Sequence, residues 1–316
     1  NGVRVIKAAR LGCVASTPLS VSLFWQLHKR QPDVTHLHFP YPVGEVAQYL
    51  FGRSRHVVLA YHSDVVRQKR ILRFYRPLMS RILRSVDRII VATPNYLESS
   101  PTLQPFRDKC RIVPYGIDQR PVLSADPAAA QALRQRFGGG PLLLFVGVLR
   151  YYKGLNYLLE AMPHIGAKLL IVGDGPMATE LHDQAKALGL ADRVVFVGRV
   201  SDEELPSYYG AADLFVLPAS ERSEAFGLVL VEAMSSGLAL VSTELGTGTS
   251  YVNRHGESGL VVPPKDSVVL AGAINRLLAD EPLRRKLARG ALAGSKSFSM
   301  GVMLEAIERV YAELTD

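Results

Sequence analysis

Two glutamates separated by seven residues, Glu224 and Glu232, carry the clearest chemical signal in this chain. They lie in Pro218-Ala-Ser-Glu-Arg-Ser-Glu224-Ala-Phe-Gly-Leu-Val-Leu-Val-Glu232-Ala-Met-Ser-Ser-Gly237. The apolar spacing from about Gly227 to Ser236 is helical, and Gly237 is a good stop residue. Glu224 is then on the loop before a helix and Glu232 about two turns into it. The amides of Phe226, Gly227 and Leu228 would be first-turn donors without intrahelical partners. Such a helix start, with a glycine at closest approach, suits a phosphate. A carboxylate on each side could accept hydroxyl hydrogen bonds from two sugars joined by that phosphate. A capped helix bearing two solvated glutamates fits the same spacing, so the pair alone leaves both readings open.

The elements that would hold this pair alternate between apolar runs and helical stretches. Strand-like runs occur at residues 34–38, 56–61, 88–92 and 111–114, then at 142–146, 168–172, 194–197, 214–217 and 238–242. Helical segments of 10–15 residues separate most of them, the signature of parallel sheets built from crossover units. Residues 121–140 combine Pro, Ala and three consecutive glycines and mark the domain boundary. The expected division is 1–120, 121–299 and a C-terminal helix over 300–316 that returns toward the first domain.

Four ordered motifs give this pattern a family. The E-x7-E segment, with Glu-Ala-Phe-Gly and Glu-Ala-Met around it, is joined by Phe145-Val-Gly-Val-Leu-Arg-Tyr-Tyr-Lys153-Gly154, Val172-Gly-Asp-Gly-Pro176 and Val113-Pro-Tyr-Gly-Ile-Asp118. Together they resemble the family 4 retaining glycosyltransferases over nearly the whole chain from Asp33 onward. The resemblance implies the α/β fold called GT-B, two Rossmann-like domains facing across a cleft. It implies transfer of a hexose from a UDP-sugar or GDP-sugar to a saccharide or lipid-linked acceptor, with no further cofactor. The family begins with a strand and a Gly-rich turn, and no such unit precedes Asp33. The expectation is a truncated first domain in which Gly2-Val3-Arg4-Val5 forms a late strand.

Within that reading each motif takes a task. Departure of a nucleoside diphosphate leaves growing negative charge that something cationic must stabilise. The family pattern supplies an Arg after the first glycine and a Lys five residues later. Lys153 matches; Val148 stands at the Arg position, and Arg150 is the nearest substitute. Enzymes that use a metal for this task carry Asp-x-Asp. No two aspartates here lie two apart, so no metal site is expected. The resemblance gives Glu224 the donor-sugar hydroxyls and Glu232 the nucleotide ribose. It lines the nucleotide pocket with Gly173, Gly175, Arg199 and Val200, and sets His62, at the end of the run 56–61, against the sugar or acceptor. His38 is the second histidine of interest.

Three other readings remain. Gly173 to Ala178 is also G-x-G-x-x-A, the dinucleotide fingerprint, but the next strand ends in Gly198-Arg199 rather than an acid. An NADP-dependent oxidoreductase is therefore a distant alternative. A non-catalytic nucleotide-sugar-binding subunit or fragment is the nearer one, because of Val148. Residues Arg67 to Arg88 carry eight basic side chains and one acidic one. They read either as a core-facing helix with a solvated basic face or as a surface for anionic lipid.

Composition is compatible with all of this. The chain has 316 residues, a net charge of +8, 48% hydrophobic residues and only Cys13 and Cys110 as cysteines. That length suffices for two cores. The cysteines are too few for a disulfide framework, pointing to a reducing cytosol and, through the basic segment, peripheral contact at the inner membrane face. The positive charge favours acidic partners, and no nucleic-acid recognition pattern accompanies it.

Overall fold

The computed structural model describes residues 2–14, 17–64, 69–120 and 126–315, with the side chains of Val14, Thr17 and 69–72 left aside. Residues 121–125 of the expected linker, and Arg67 and Gln68 of the basic segment, lie outside these. The chain divides into two compact units, residues 1–113 with 305–316, and residues 114–304.

In the first unit, strands β1 (Gly12–Val14) and β2 (Thr17–Leu19) form an antiparallel hairpin. Strands β3 (Val34–Phe39), β4 (His56–Tyr61), β5 (Arg88–Val91) and β6 (Cys110–Ile112) form a four-stranded parallel sheet in that order. The apolar runs of the two central strands, β4 and β5, follow from burial of both sheet faces, while the edge strands β3 and β6 carry polar residues and are less buried. The hairpin was not anticipated. Nor is there a strand over Gly2 to Val5, where Val3 and Val5 are 80% and 77% exposed and the residues stay irregular. Alternating Val and Arg cannot hold a strand without a neighbour to pair with.

The basic segment folds as the helix Lys69–Ser85. Met79, Ile82 and Leu83 are buried, with Val86 just beyond, while Arg73, Arg76, Arg81 and Arg84 are exposed beside Phe74, which is 85% exposed. Near the chain end, Glu313 accepts hydrogen bonds from Arg88 and Arg111, and Tyr311 meets His36 at 2.5 Å.

The second unit is a six-stranded parallel sheet. Its strands are β7 (Leu142–Val146), β8 (Lys168–Val172), β9 (Val194–Gly198), β10 (Leu214–Leu217), β11 (Ala239–Thr243) and β12 (Gly259–Val262). The spatial order is β12-β11-β10-β7-β8-β9. β12 was not anticipated: it opens on a glycine and leaves only Leu260 to Val262 as an apolar run before Pro263 and Pro264. The order reverses direction between β7 and β10. At such a switch point the two strands' following loops diverge to opposite faces and leave a crevice at their carboxyl ends. The loops after β7 and β10 are those that carry Lys153 and Glu224.

Candidate active site

The loop after β7 runs from Gly147 to Gly154 and ends in a short 3-10 turn, Tyr151–Lys153. The loop after β10 runs from Pro218 to Gly227 and enters the helix Leu228–Ser235. The two are joined at several points. Ser220 N donates to Tyr152 O at 2.8 Å, and the Tyr151 hydroxyl is 3.4 Å from Ser223 Oγ. Gly154, at φ +68°, packs against Pro218 so closely that a Cβ there would overlap the Pro218 carbonyl oxygen.

This juncture brings Lys153 to Glu224. Nζ lies 2.6 Å from Oε2, and the side chains are only 10% and 9% exposed. The contact is an ion pair by distance, but its angles do not make a hydrogen bond, so the buried Oε2 still lacks an aligned donor. Two charges removed from water must compensate each other. Sequence reasoning assigned each residue separately to a ligand. Their pairing, across 71 positions, was not foreseen.

The other side of the Glu224 loop is held by the segment after β11. Thr247 Oγ1 donates to Glu224 O and Gly248 N to Ala225 O, both at 2.8 Å, and Thr243 Oγ1 donates to Ala219 O. Gly248 is needed here, since a Cβ would sit 2.7 Å from Ala225 O and Phe226 Cα. Thr247 and Gly248 were missed. Nothing distinguishes them in sequence from an ordinary polar turn.

Gly227 caps the following helix in the left-handed region, φ 84°. The amides of Phe226, Gly227 and Leu228 donate to no group among the described residues. These are the donors expected at a helix start that accepts an anion. Phe226 is buried edge-on to Tyr115 and Phe298, and Leu228 is 43% exposed. Glu232, in the second turn, accepts a 2.6 Å hydrogen bond from Tyr209. Burial raises its pKa, while Tyr209 and the charge of Lys153 oppose that rise.

The remaining candidates sit differently. Val148 is 50% exposed and Arg150 exposed, and neither belongs to the Lys153–Glu224 pair. Gly173 and Gly175 are tied to protein backbone. A Cβ on Gly173 would overlap Gly147 O, and one on Gly175 would lie 2.6 Å from Leu149 N and O. In this structure the close approach that these glycines permit is between the loops after β7 and β8. Arg199 is exposed, 3.9 Å from Asp174, and Val200 follows it beyond β9, at the sheet edge.

His62 belongs to the first unit, at the carboxyl end of β4. His36, His38 and His62 stack, with ring centroids 5.1 and 5.0 Å apart, and His38 Nδ1 is 2.8 Å from His62 Nε2. The next residues are pinned through Asp64, whose Oδ1 accepts from Tyr61 and Ser100. Burial, then the charges of His38 and His62, lower the His36 pKa from 6.5 to about 4; burial and His38 lower that of His62. Between about pH 4 and 6.5 the unfolded chain therefore binds the His36 proton and the folded chain does not. Stability from this group is complete above pH 6.5 and is lost as pH falls toward about 4. Thermal melting across that range should fall with acid, and His36→Gln should flatten the slope; an unchanged slope would mean the stack is not what titrates. Among the described residues, no three His, Cys, Asp or Glu side chains are grouped as metal ligands.

Comparison with known proteins gives this geometry a family. Residues 131–293 match the model of the glycosyl transferases group 1, and residues 3–120 that of Glycosyltransferase Family 4. The D-rhamnosyltransferase WbpZ of Pseudomonas aeruginosa is 42% identical over 295 residues, spanning 92% of this chain and 77% of the relative. The O-antigen chain mannosyltransferase C of Escherichia coli is 36% identical over 317 residues, spanning 99% and 84%.

The chain belongs to the group 1 glycosyltransferases.

Its architecture agrees. Sucrose-phosphate synthase from Thermosynechococcus elongatus matches at 26% identity with a TM-score of 0.75, over 90% of this chain and 74% of that one. HepE of Anabaena, in a complex with UDP, matches at 23% identity with a TM-score of 0.78, over 92% and 81%. The glycosyltransferase thus has the GT-B fold, and its two parallel sheets are the Rossmann-like domains of that fold. Membership also disposes of the oxidoreductase alternative.

Proposed function

We propose that this glycosyltransferase moves a hexose, with retention, from a nucleoside diphosphate sugar to a saccharide or lipid-linked acceptor in polysaccharide assembly, without a metal. The observation that carries the proposal is the Lys153–Glu224 ion pair, buried at the switch point of the second sheet beside the amide donors of residues 226–228. Lys153 and those amides would bind the diphosphate. A fixed cation and preorganised amides stabilise the charge that grows as the glycosidic bond breaks. Glu224 would hold hydroxyls of the donor sugar, and Glu232 the ribose. The pair binds hydroxyls, so retention here rests on family membership, not on two carboxylates flanking a bond. His62 would contact the sugar or acceptor from the first domain.

The name of one relative, the O-antigen chain mannosyltransferase C, favours a polysaccharide product, and that of WbpZ, a D-rhamnosyltransferase, favours transfer of a sugar. The solved structure with UDP favours a nucleoside diphosphate donor, and both UDP-sugars and GDP-sugars remain in the proposal. No helix among the described residues is long and apolar enough to cross a membrane. Contact with anionic lipid head groups would come from the stripe of Arg73, Arg76, Arg81 and Arg84 with Phe74.

A thermal-shift panel of nucleoside diphosphates and their sugar conjugates, run with and without excess chelator, tests the reading. Ligand at a hundred times its dissociation constant should stabilise the fold by about 2.7 kcal/mol, chelator or not. No shift with any nucleotide would remove the donor site, and a shift abolished by chelation would remove the metal-free mechanism.

A further inference from the structure

Tyr209 lies on the helix Leu205–Ala211, which leads into β10, and its ring is 0% exposed. The ring packs beside Phe215 on that strand, with centroids 5.9 Å apart. A buried phenol must place its hydroxyl on an acceptor. The acceptor is Glu232 Oε2, at 2.6 Å, on a different helix of the same domain. The ring would pack equally well as phenylalanine, so what the hydroxyl adds is its grip on the carboxylate.

We infer that Tyr209 is a positioning residue for nucleotide binding, its hydroxyl fixing the plane of the Glu232 carboxylate so that Oε1 stays available to the ribose diol. The inference rests on the proposed role of Glu232 toward ribose. A glutamate side chain with no second tie can rotate its carboxylate and lose alignment with two vicinal hydroxyls. The phenol removes that freedom before the ligand arrives, which is the general source of preorganised affinity. It also favours the charged carboxylate in a site that disfavours charge. The other charged groups facing Glu232 are Lys153, which supports ionisation, and Asp202, which opposes it.

The test is calorimetric titration of UDP and GDP into the 316-residue chain as a function of pH. The proteins compared are the wild type, Tyr209→Phe, Glu232→Gln and the double variant. Tyr209→Phe should raise the Kd of the tighter nucleotide about tenfold, the scale of one hydrogen bond to a charged group. It should also move the acid-side loss of binding to higher pH, because the carboxylate then protonates more readily. In the Glu232→Gln background the same change should have little further effect. Replacing Tyr209 by 3-fluorotyrosine, a stronger donor of the same shape, should move the acid loss the other way and keeps the test open should Tyr209→Phe fold poorly. If Glu232→Gln weakens binding and Tyr209→Phe does not, or if the two losses simply add, the positioning role is wrong. If Glu232→Gln leaves both nucleotides unaffected, the ribose assignment itself fails and the role of Tyr209 fails with it. A purely structural tyrosine would lower the melting temperature without moving the pH profile.

Discussion

Lys153→Met should lower kcat by about 10²–10³-fold, the usual loss when one preorganised charge stabiliser is removed from an active site. The same substitution should destabilise the fold by about 3–5 kcal/mol, because it strands a buried carboxylate. Glu224 is the stranded group: its side chain is 9% exposed and its Oε2 faces the lysine at 2.6 Å. The two consequences can be separated. Adding Glu224→Gln to Lys153→Met removes the uncompensated charge and should restore most of the stability while restoring none of the turnover. Glu224→Gln alone leaves Lys153 without its internal partner. Free nucleoside diphosphate should then bind at least as tightly as to the wild type, while the sugar conjugate, deprived of a hydroxyl acceptor, binds more weakly. Urea denaturation and steady-state kinetics on the three variants read both quantities. Turnover within tenfold of wild type in Lys153→Met would take the lysine out of the chemistry.

The second large effect is on backbone packing. Gly154 and Gly189 share φ +68°, so an alanine at either position pays the same left-handed penalty, about 1–2 kcal/mol. They differ in surroundings. A Cβ on Gly189 has nothing within 4 Å, whereas one on Gly154 overlaps the carbonyl oxygen of Pro218. That oxygen is main chain and cannot swing aside like a flexible side chain. Gly154→Ala should therefore cost about 2–3 kcal/mol beyond Gly189→Ala. It should also cut activity, since relief of the clash must separate the loops that hold Lys153 and Glu224. Equal losses of stability in the two variants, measured by urea melts, would refute the close approach.

Most strands of both sheets were legible in sequence, and the reason is physical. A parallel strand covered on both faces must be apolar along its length, so β4, β7, β8 and β10 stand out as apolar blocks at the positions where the structure has them. What escaped notice lacks an apolar block: β12 opens on a glycine and holds three apolar residues before two prolines, and the hairpin of β1 and β2 mixes Gly, Thr and Pro into three-residue strands. In the site, Glu224, Glu232, Lys153 and the amides of residues 226–228 could be singled out because their types and spacing are local to two short segments. Tyr209, Thr247 and Gly248 could not. Their partners are fixed by the order of strands in the sheet, and Tyr209 inside an apolar helix looks like any core aromatic. The glycines at 173 and 175 were read only as lining a nucleotide pocket; their close packing against Gly147 and Leu149 depends on which loops the sheet order brings together, and the sequence does not say that.

The Lys153–Glu224 pair also bears on which anions the empty enzyme ignores. Each partner already neutralises the other away from water, so an ion that engages the lysine alone abandons a desolvated carboxylate. Orthophosphate offers charge and little else. On the proposed reading, a nucleoside diphosphate sugar replaces both halves of the pair at once, phosphate for the lysine and hydroxyls for the glutamate. The pocket then works as a coincidence detector that registers charge and sugar together. Inorganic phosphate, however abundant, should compete poorly against the donor in the wild type and noticeably better once Glu224 is made neutral.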